Sequence, residues 1–138
     1  MKLLRVVLLL TVLGSCLYVL FFQPELLGIN LSQNLDFPSG SLVSWLIIIT
    51  FVLFVYLVLP AESKTKSDKK HKTISAVFVL MSLLWGVFSR ILAGNWSWVF
   101  NDMRNFYVWV LFTTVLLFVP LVIFITHVFR IVSIKNRS

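Results

Sequence analysis

The side chains that could do chemistry in this chain are few and scattered. Asp102 is the only acid in the second half of the sequence, His71 and His127 are its histidines, and Cys16 is its one cysteine. Acid–base or nucleophilic catalysis needs a proton acceptor within hydrogen-bond reach of a second reacting group. A metal site needs several His, Cys or carboxylate ligands converging on one point, and neither zinc spacing nor a phosphate-cradling glycine loop occurs here. His71 lies among lysines, and His127 lies three residues before Arg130. Both suit solvated or interfacial positions better than a haem or metal ligand set. A single cysteine admits no intramolecular disulfide. The sequence therefore reads as non-enzymatic, with no cofactor and no metal.

Arg90 is the charge that asks for an explanation. It lies four residues before the end of an otherwise apolar stretch, 74–94. At the bilayer centre an arginine costs a few kcal/mol on insertion scales, whereas near a helix end its long side chain reaches the headgroups. Two roles follow: an interfacial anchor, or a fixed positive charge that pairs with Asp102 or meets an anionic group. The stretch that follows, NWSWVFNDMRN (95–105), alternates Trp96 and Trp98 before Asp102 and Arg104. Tryptophan gathers at membrane–water interfaces. Arg90, Trp96, Trp98, Asp102 and Arg104 are thus the candidate surface for a partner or ligand.

Trp96-Ser97-Trp98 with Asp102 and Arg104 resembles the tryptophan-rich segment of haem-handling membrane proteins of cytochrome c maturation. The resemblance covers about a dozen residues. That family would imply an acid directly after the second Trp and haem-holding histidines on the same side. Here Val99-Phe100-Asn101 intervene, and no histidine falls on that side, so no haem site is carried over.

The elements that position these residues are four long apolar runs, at 3–22, 42–59, 74–94 and 106–131. Of the 138 residues, 59% are hydrophobic and 12% charged, with a mean hydropathy of +0.99. A soluble domain is nearer a quarter charged. A run of about 20 residues at 1.5 Å each crosses roughly 30 Å of hydrocarbon. The expected fold is all-α: one polytopic domain, a bundle of four transmembrane helices. The first run resembles a secretory or lipoprotein leader around Leu-Gly-Ser-Cys16, but it stays apolar to Phe22 and so reads as an uncleaved span. Residues 23–40 are broken by Pro24, Gly28, Pro38 and Gly40, yet remain apolar, as an interfacial turn or short helix would. The fourth run exceeds the hydrocarbon thickness and holds Pro120, which removes one backbone donor; Thr113 and Thr114 are placed to re-satisfy carbonyls nearby.

Within the third run, Ser75, Ser82, Gly86, Ser89 and Ala93 recur at helical spacing. Small residues on one face allow close backbone approach, and in lipid such faces mark helix packing. Ser82, Gly86, Ser89 and Ala93 are the expected packing stripe, and Ser82→Leu or Gly86→Leu should weaken any complex made through it.

Charge sets the orientation. The segment 61–73 holds Lys64, Lys66, Lys69, Lys70 and Lys72, and such loops stay cytoplasmic. Of the 12 Lys and Arg, only Arg90 and Arg104 fall on the opposite side when four spans alternate. The expectation is both termini and the 61–73 segment in the cytoplasm, in a plasma or bacterial inner membrane, with those five lysines against anionic headgroups. No aromatic side chain interleaves the lysines, which argues against a nucleic-acid partner despite the net charge of +7. No span contains Asp or Glu, the usual coupling groups of small exporters. The sequence thus reads as an accessory, assembly or regulatory subunit that packs against a membrane-protein partner or a second copy; the alternative is a small transporter or a holin-like pore.

Overall fold

The computed structural model describes residues 2–32, 34, 36–59 and 66–135. Four helices carry the structure: α1 (Lys2–Phe22), α2 (Ser39–Val58), α3 (Lys66–Ala93) and α4 (Met103–Lys135). All four are long and apolar enough to cross a membrane. They follow one another up and down, so the end of α2 and the start of α3 lie with the start of α1 and the end of α4. The segments 23–38 and 94–102 share the opposite end, where Phe37 meets Trp96.

Helix α3 has 28 residues, seven more than the apolar run at 74–94. The lysine-rich stretch from Lys66 is helical, not a loop. Lysine is a good helix former, and Asp68 in the first turn complements the helix dipole. His71 is accordingly half-buried on α3 rather than in a solvated loop. Helix α4 has 33 residues, about 50 Å at 1.5 Å per residue. It begins at Met103 because Asp102 caps it: the Arg104 backbone N–H donates to Asp102 Oδ1 at 2.8 Å. Pro120 is buried inside α4 without ending it.

The segment after α1 contains a short helix, as expected, and also a strand pairing that was not. A 3₁₀ turn at Pro24–Gly28 leads into two short antiparallel strands, β1 (Asn30–Ser32) and β2 (Phe37–Pro38), with Asn30 opposite Pro38 and Ser32 opposite Phe37. Asp36, in the left-handed region at φ 47°, makes the reversal, and its carboxylate accepts from Asn30 Nδ2 at 2.8 Å. The Ser39 hydroxyl donates to the Leu26 carbonyl and fastens this segment to the start of α2.

The core joins three helices. Ile48 of α2, Trp85 of α3 and Leu116 of α4 are buried together, with Trp45, Phe78, Trp98, Trp109 and Phe112 around them. The small residues of α3 explain why. Ser75, Ser82 and Ser89 are fully buried, and a Cβ added at Gly86 would lie 2.4 Å from the Trp45 ring. The glycine lets the indole of α2 lie across α3, where Trp45 Nε1–H donates to the Ser82 carbonyl at 2.9 Å. The stripe therefore packs within the chain. Helix α1 stands apart from this core: it packs on α2, and Cys16 is its only buried side chain among the described residues.

Candidate functional site

The end of the bundle formed by 23–38 and 94–102 gathers most residues singled out by the sequence. Gly94, at φ 77°, closes α3, with its N–H donating to the Arg90 carbonyl at 2.8 Å. Asn95 then folds the turn: its Nδ2 donates to the Ala93 and Val99 carbonyls, and its Oδ1 accepts from the Val99 N–H. Asn105 on α4 reaches back to donate to the Leu92 carbonyl at 3.1 Å. These amides do the positioning that would otherwise leave helix-end carbonyls unpaired.

Trp96 and Trp98 are held by this turn and are half-buried. Ser41 donates through its hydroxyl to the Trp96 carbonyl, tying 94–102 to α2. The Trp96 ring meets Phe37 edge to face at 5.0 Å, and Trp98 meets Trp85 edge to face at 4.5 Å. The indole N–H groups of Trp96 and Trp98 are buried without a hydrogen-bond partner among the described residues. Trp98 also sits at φ 52°, a left-handed backbone uncommon for a bulky residue.

The tryptophans within the spans form a hydrogen-bonded ladder that sequence reading missed. Trp85 Nε1–H donates to Thr113 Oγ1 at 2.9 Å. Trp109 Nε1–H donates to Ser89 Oγ at 2.8 Å, and Ser89 in turn donates to the Trp85 carbonyl at 2.7 Å. Each such interhelical bond is worth about 0.6 kcal/mol in a bilayer protein. Thr113 thus serves Trp85 rather than a carbonyl freed by Pro120. The available signal was positional for Trp85, which lies in the middle of the apolar run 74–94, away from the ends where aromatic belts form; Trp109, one turn inside 106–131, looks like a belt residue.

Arg90 and Asp102 are not paired. The Arg90 guanidinium lies over the Trp96 ring, 5.0 Å from its centroid, a cation–π contact that keeps the charge at the helix end. Asp102 is occupied as the α4 cap. Arg104 is exposed, with its backbone N–H on that cap. An Arg90–Asp102 pair is therefore replaced by two separate local contacts.

At the other end, Lys72 donates through Nζ to the Tyr56 and Leu59 carbonyls and lies 3.8 Å from the Tyr56 ring centroid. It caps the end of α2, where a cation opposes the dipole, so it is turned to α2 rather than to headgroups. Lys69 and Lys70 are exposed. Lys64 lies outside the described residues, as does the side chain of Lys66. Arg130 Nη1 is 2.5 Å from Asp68 Oδ1 and joins the two polar helix ends of α3 and α4. Among the described residues, no three His, Cys, Asp or Glu side chains converge on a metal position.

The end of the bundle around Trp96 and Trp98 thus gathers aromatic rings, hydroxyls and one stacked cation. Comparison with known protein families, curated proteins and solved structures gives no match to this chain.

Proposed function

We propose that the chain is a non-enzymatic integral membrane protein that serves as an accessory, assembly or regulatory subunit of a larger membrane complex. The observation that carries this reading is the one-sided packing of α1. It rests on α2 while its remaining surface is open, and Leu3, Leu4, Phe21 and Phe22 are each more than 60% exposed. Thr11 and Ser15, four residues apart, and Gly14 share one open side of that helix. A Cβ added at Gly14 would meet nothing within 4 Å. In lipid, small residues on an open face let another helix approach closely. The partner is another membrane protein or a second copy of this chain. The stripe on α3 is already used internally, whereas Gly14 on α1 lies on an open face, which favours α1 as the docking element.

The same reading places both termini and the 61–73 segment in the cytoplasm of a plasma or bacterial inner membrane. The basic end, with Lys69 and Lys70 exposed, supports that orientation through the positive-inside rule and attraction to anionic headgroups.

Affinity purification of the tagged protein in mild detergent, with size analysis and mass spectrometry, tests the proposal. A stoichiometric partner or a defined oligomer is expected, and Gly14→Leu should release it without lowering the chain's own unfolding midpoint. A monomer containing only this chain, indifferent to Gly14→Leu, would overturn the reading. Ion and solute flux in liposomes would then test the alternative, a small transporter or holin-like pore.

A further inference from the structure

Helices α2 and α4 do not close on each other along their whole length. Two cavities lie between them, and a third adjoins these at the end of the bundle, where α2 meets Leu20, Leu27 and the 94–102 turn. The outermost, about 280 Å³, is lined by Leu20, Leu27, Ser41, Ser44, Ser97 and Trp98, among others. The next, about 270 Å³, shares Ser44 and Trp98 and adds Ile48, Trp85, Trp109 and Thr113. The deepest, about 480 Å³, is lined by Phe51, Thr114, Leu117, Phe118 and Leu121. Phe51 is one helical turn beyond Ile47 and Ile48, and Leu117 is one turn beyond Thr113, so the two cavities between α2 and α4 are neighbours along the same pair of helices, although they share no lining residue.

We propose that this groove binds one acyl chain of a membrane glycerolipid, with the ester end at the Ser44–Ser97 mouth and the methyl end near Leu121. Length is the first argument. From Trp109 to Leu121 α4 rises about 18 Å, close to the roughly 15 Å of hydrocarbon in one leaflet. Width is the second. The deepest cavity of about 480 Å³ runs along two turns of α4, about 10 Å, which gives a mean cross-section of about 45 Å². An α-helix about 10 Å across needs about 80 Å², so a single chain can sink into this open trough, whereas a helix would ride on its rim, on the exposed Phe118 and Leu121.

The chemistry of the lining is the third argument. No charged residue lines any of the three cavities. Below the mouth the walls are apolar and aromatic apart from Thr113 and Thr114. At the mouth, the hydroxyls of Ser44 and Ser97 make no hydrogen bond with a described residue, whereas Ser41 is committed to Trp96. Two hydroxyl donors at the rim match the ester carbonyl oxygens of a glycerolipid, with its headgroup lying beyond the rim. Trp98, turned by its left-handed backbone, stands where mouth and middle meet. Its ring forms part of both walls.

The test uses the full chain in phosphatidylcholine bilayers doped with phosphatidylcholine that carries a diazirine at the end of one acyl chain. After photolysis, adducts are mapped by mass spectrometry. Labelling is expected to concentrate on Phe51, Phe118 and Leu121, at least fivefold above Leu84 and Ile91 on the open face of α3. Leu121→Trp should cut the groove labelling by a similar factor. Thr114→Phe provides a second obstruction should Leu121→Trp fail to fold. The same pattern is expected with phosphatidylglycerol, because the lining is uncharged. Adducts spread evenly over the groove and the α3 face would reduce the lipid to an ordinary annular neighbour and overturn the proposal. So would a groove silent to the probe and crosslinked to another helix, and a tenfold preference for phosphatidylglycerol would overturn the assignment of the mouth.

Discussion

Single side chains decide how closely these helices approach. Gly86 is the sharpest case. Even Gly86→Ala places a methyl in the Trp45 ring, and overpacking of this kind costs about 1–3 kcal/mol. A lowered unfolding midpoint in mild detergent is expected, with Gly86→Ala combined with Trp45→Leu recovering part of the loss. Asp102→Ala should cost about 1 kcal/mol by removing the α4 cap, while Asp102→Asn retains most of it. Equal midpoints for the two Asp102 variants would contradict the capping role. The identities of such residues were only partly legible in the sequence. The spacing of Ser82, Gly86, Ser89 and Ala93 announced a packed face, but whether its partner lay inside or outside the chain depended on where the Trp45 and Trp109 rings fell. Arg90 and Asp102 looked like a pair because both are rare charges near one membrane end. Local partners won: an aromatic face one short turn away for Arg90, and an orphan backbone N–H for Asp102.

At the scale of elements, the apolar runs located all four helices, since nothing but a helix satisfies a lone backbone across hydrocarbon. Their ends were less legible. Helix α3 extends back to Lys66 because polar residues continue a helix readily once it leaves the apolar layer, and hydropathy is blind to that. The hairpin at 30–38 escaped notice because it rests on Asp36 adopting a positive φ and on one side-chain bond from Asn30, not on alternating apolar residues. The extension of α3 has a consequence that can be measured. It brings Asp68 to Arg130, and a double-mutant cycle with Asp68→Asn and Arg130→Gln should give a coupling below about 1 kcal/mol, since the arginine is 42% exposed and screened by water and salt. A coupling of several kcal/mol would mean that the pair is sealed by something further.

For the whole molecule, the up-and-down order of four spans puts the basic helix ends together and the Trp96–Trp98 turn opposite. Orientation in the membrane then rests on charge alone. In a Cys16→Ser background, Lys69→Cys should react with an impermeant maleimide only after the cells are opened, and Ser97→Cys should react in intact cells. The reverse pattern would invert the proposed topology. The order of the four helices was legible in the sequence, because four apolar runs of membrane length are joined by short segments; which end faces the cytoplasm is read from the segregation of lysine and arginine alone. The sequence carried nothing about the unequal status of the helices. That α2, α3 and α4 share a core while α1 leans on α2 follows from the shapes of Trp45, Trp85 and Trp109, not from how apolar each run is.

Those same rings give the molecule an optical signature. Trp85 lies 4.5 Å from Trp98 and 6.0 Å from Trp109, centroid to centroid. Indoles so close exchange excitation, so their ultraviolet transitions mix and a fixed, asymmetric arrangement becomes visible as circular dichroism near 280 nm. The triad draws on α3, α4 and the turn between them, so its dichroic band reports the meeting of those elements rather than the content of helix. Formation of the native bundle in a bilayer is thereby readable in the protein's own absorption, without a dye.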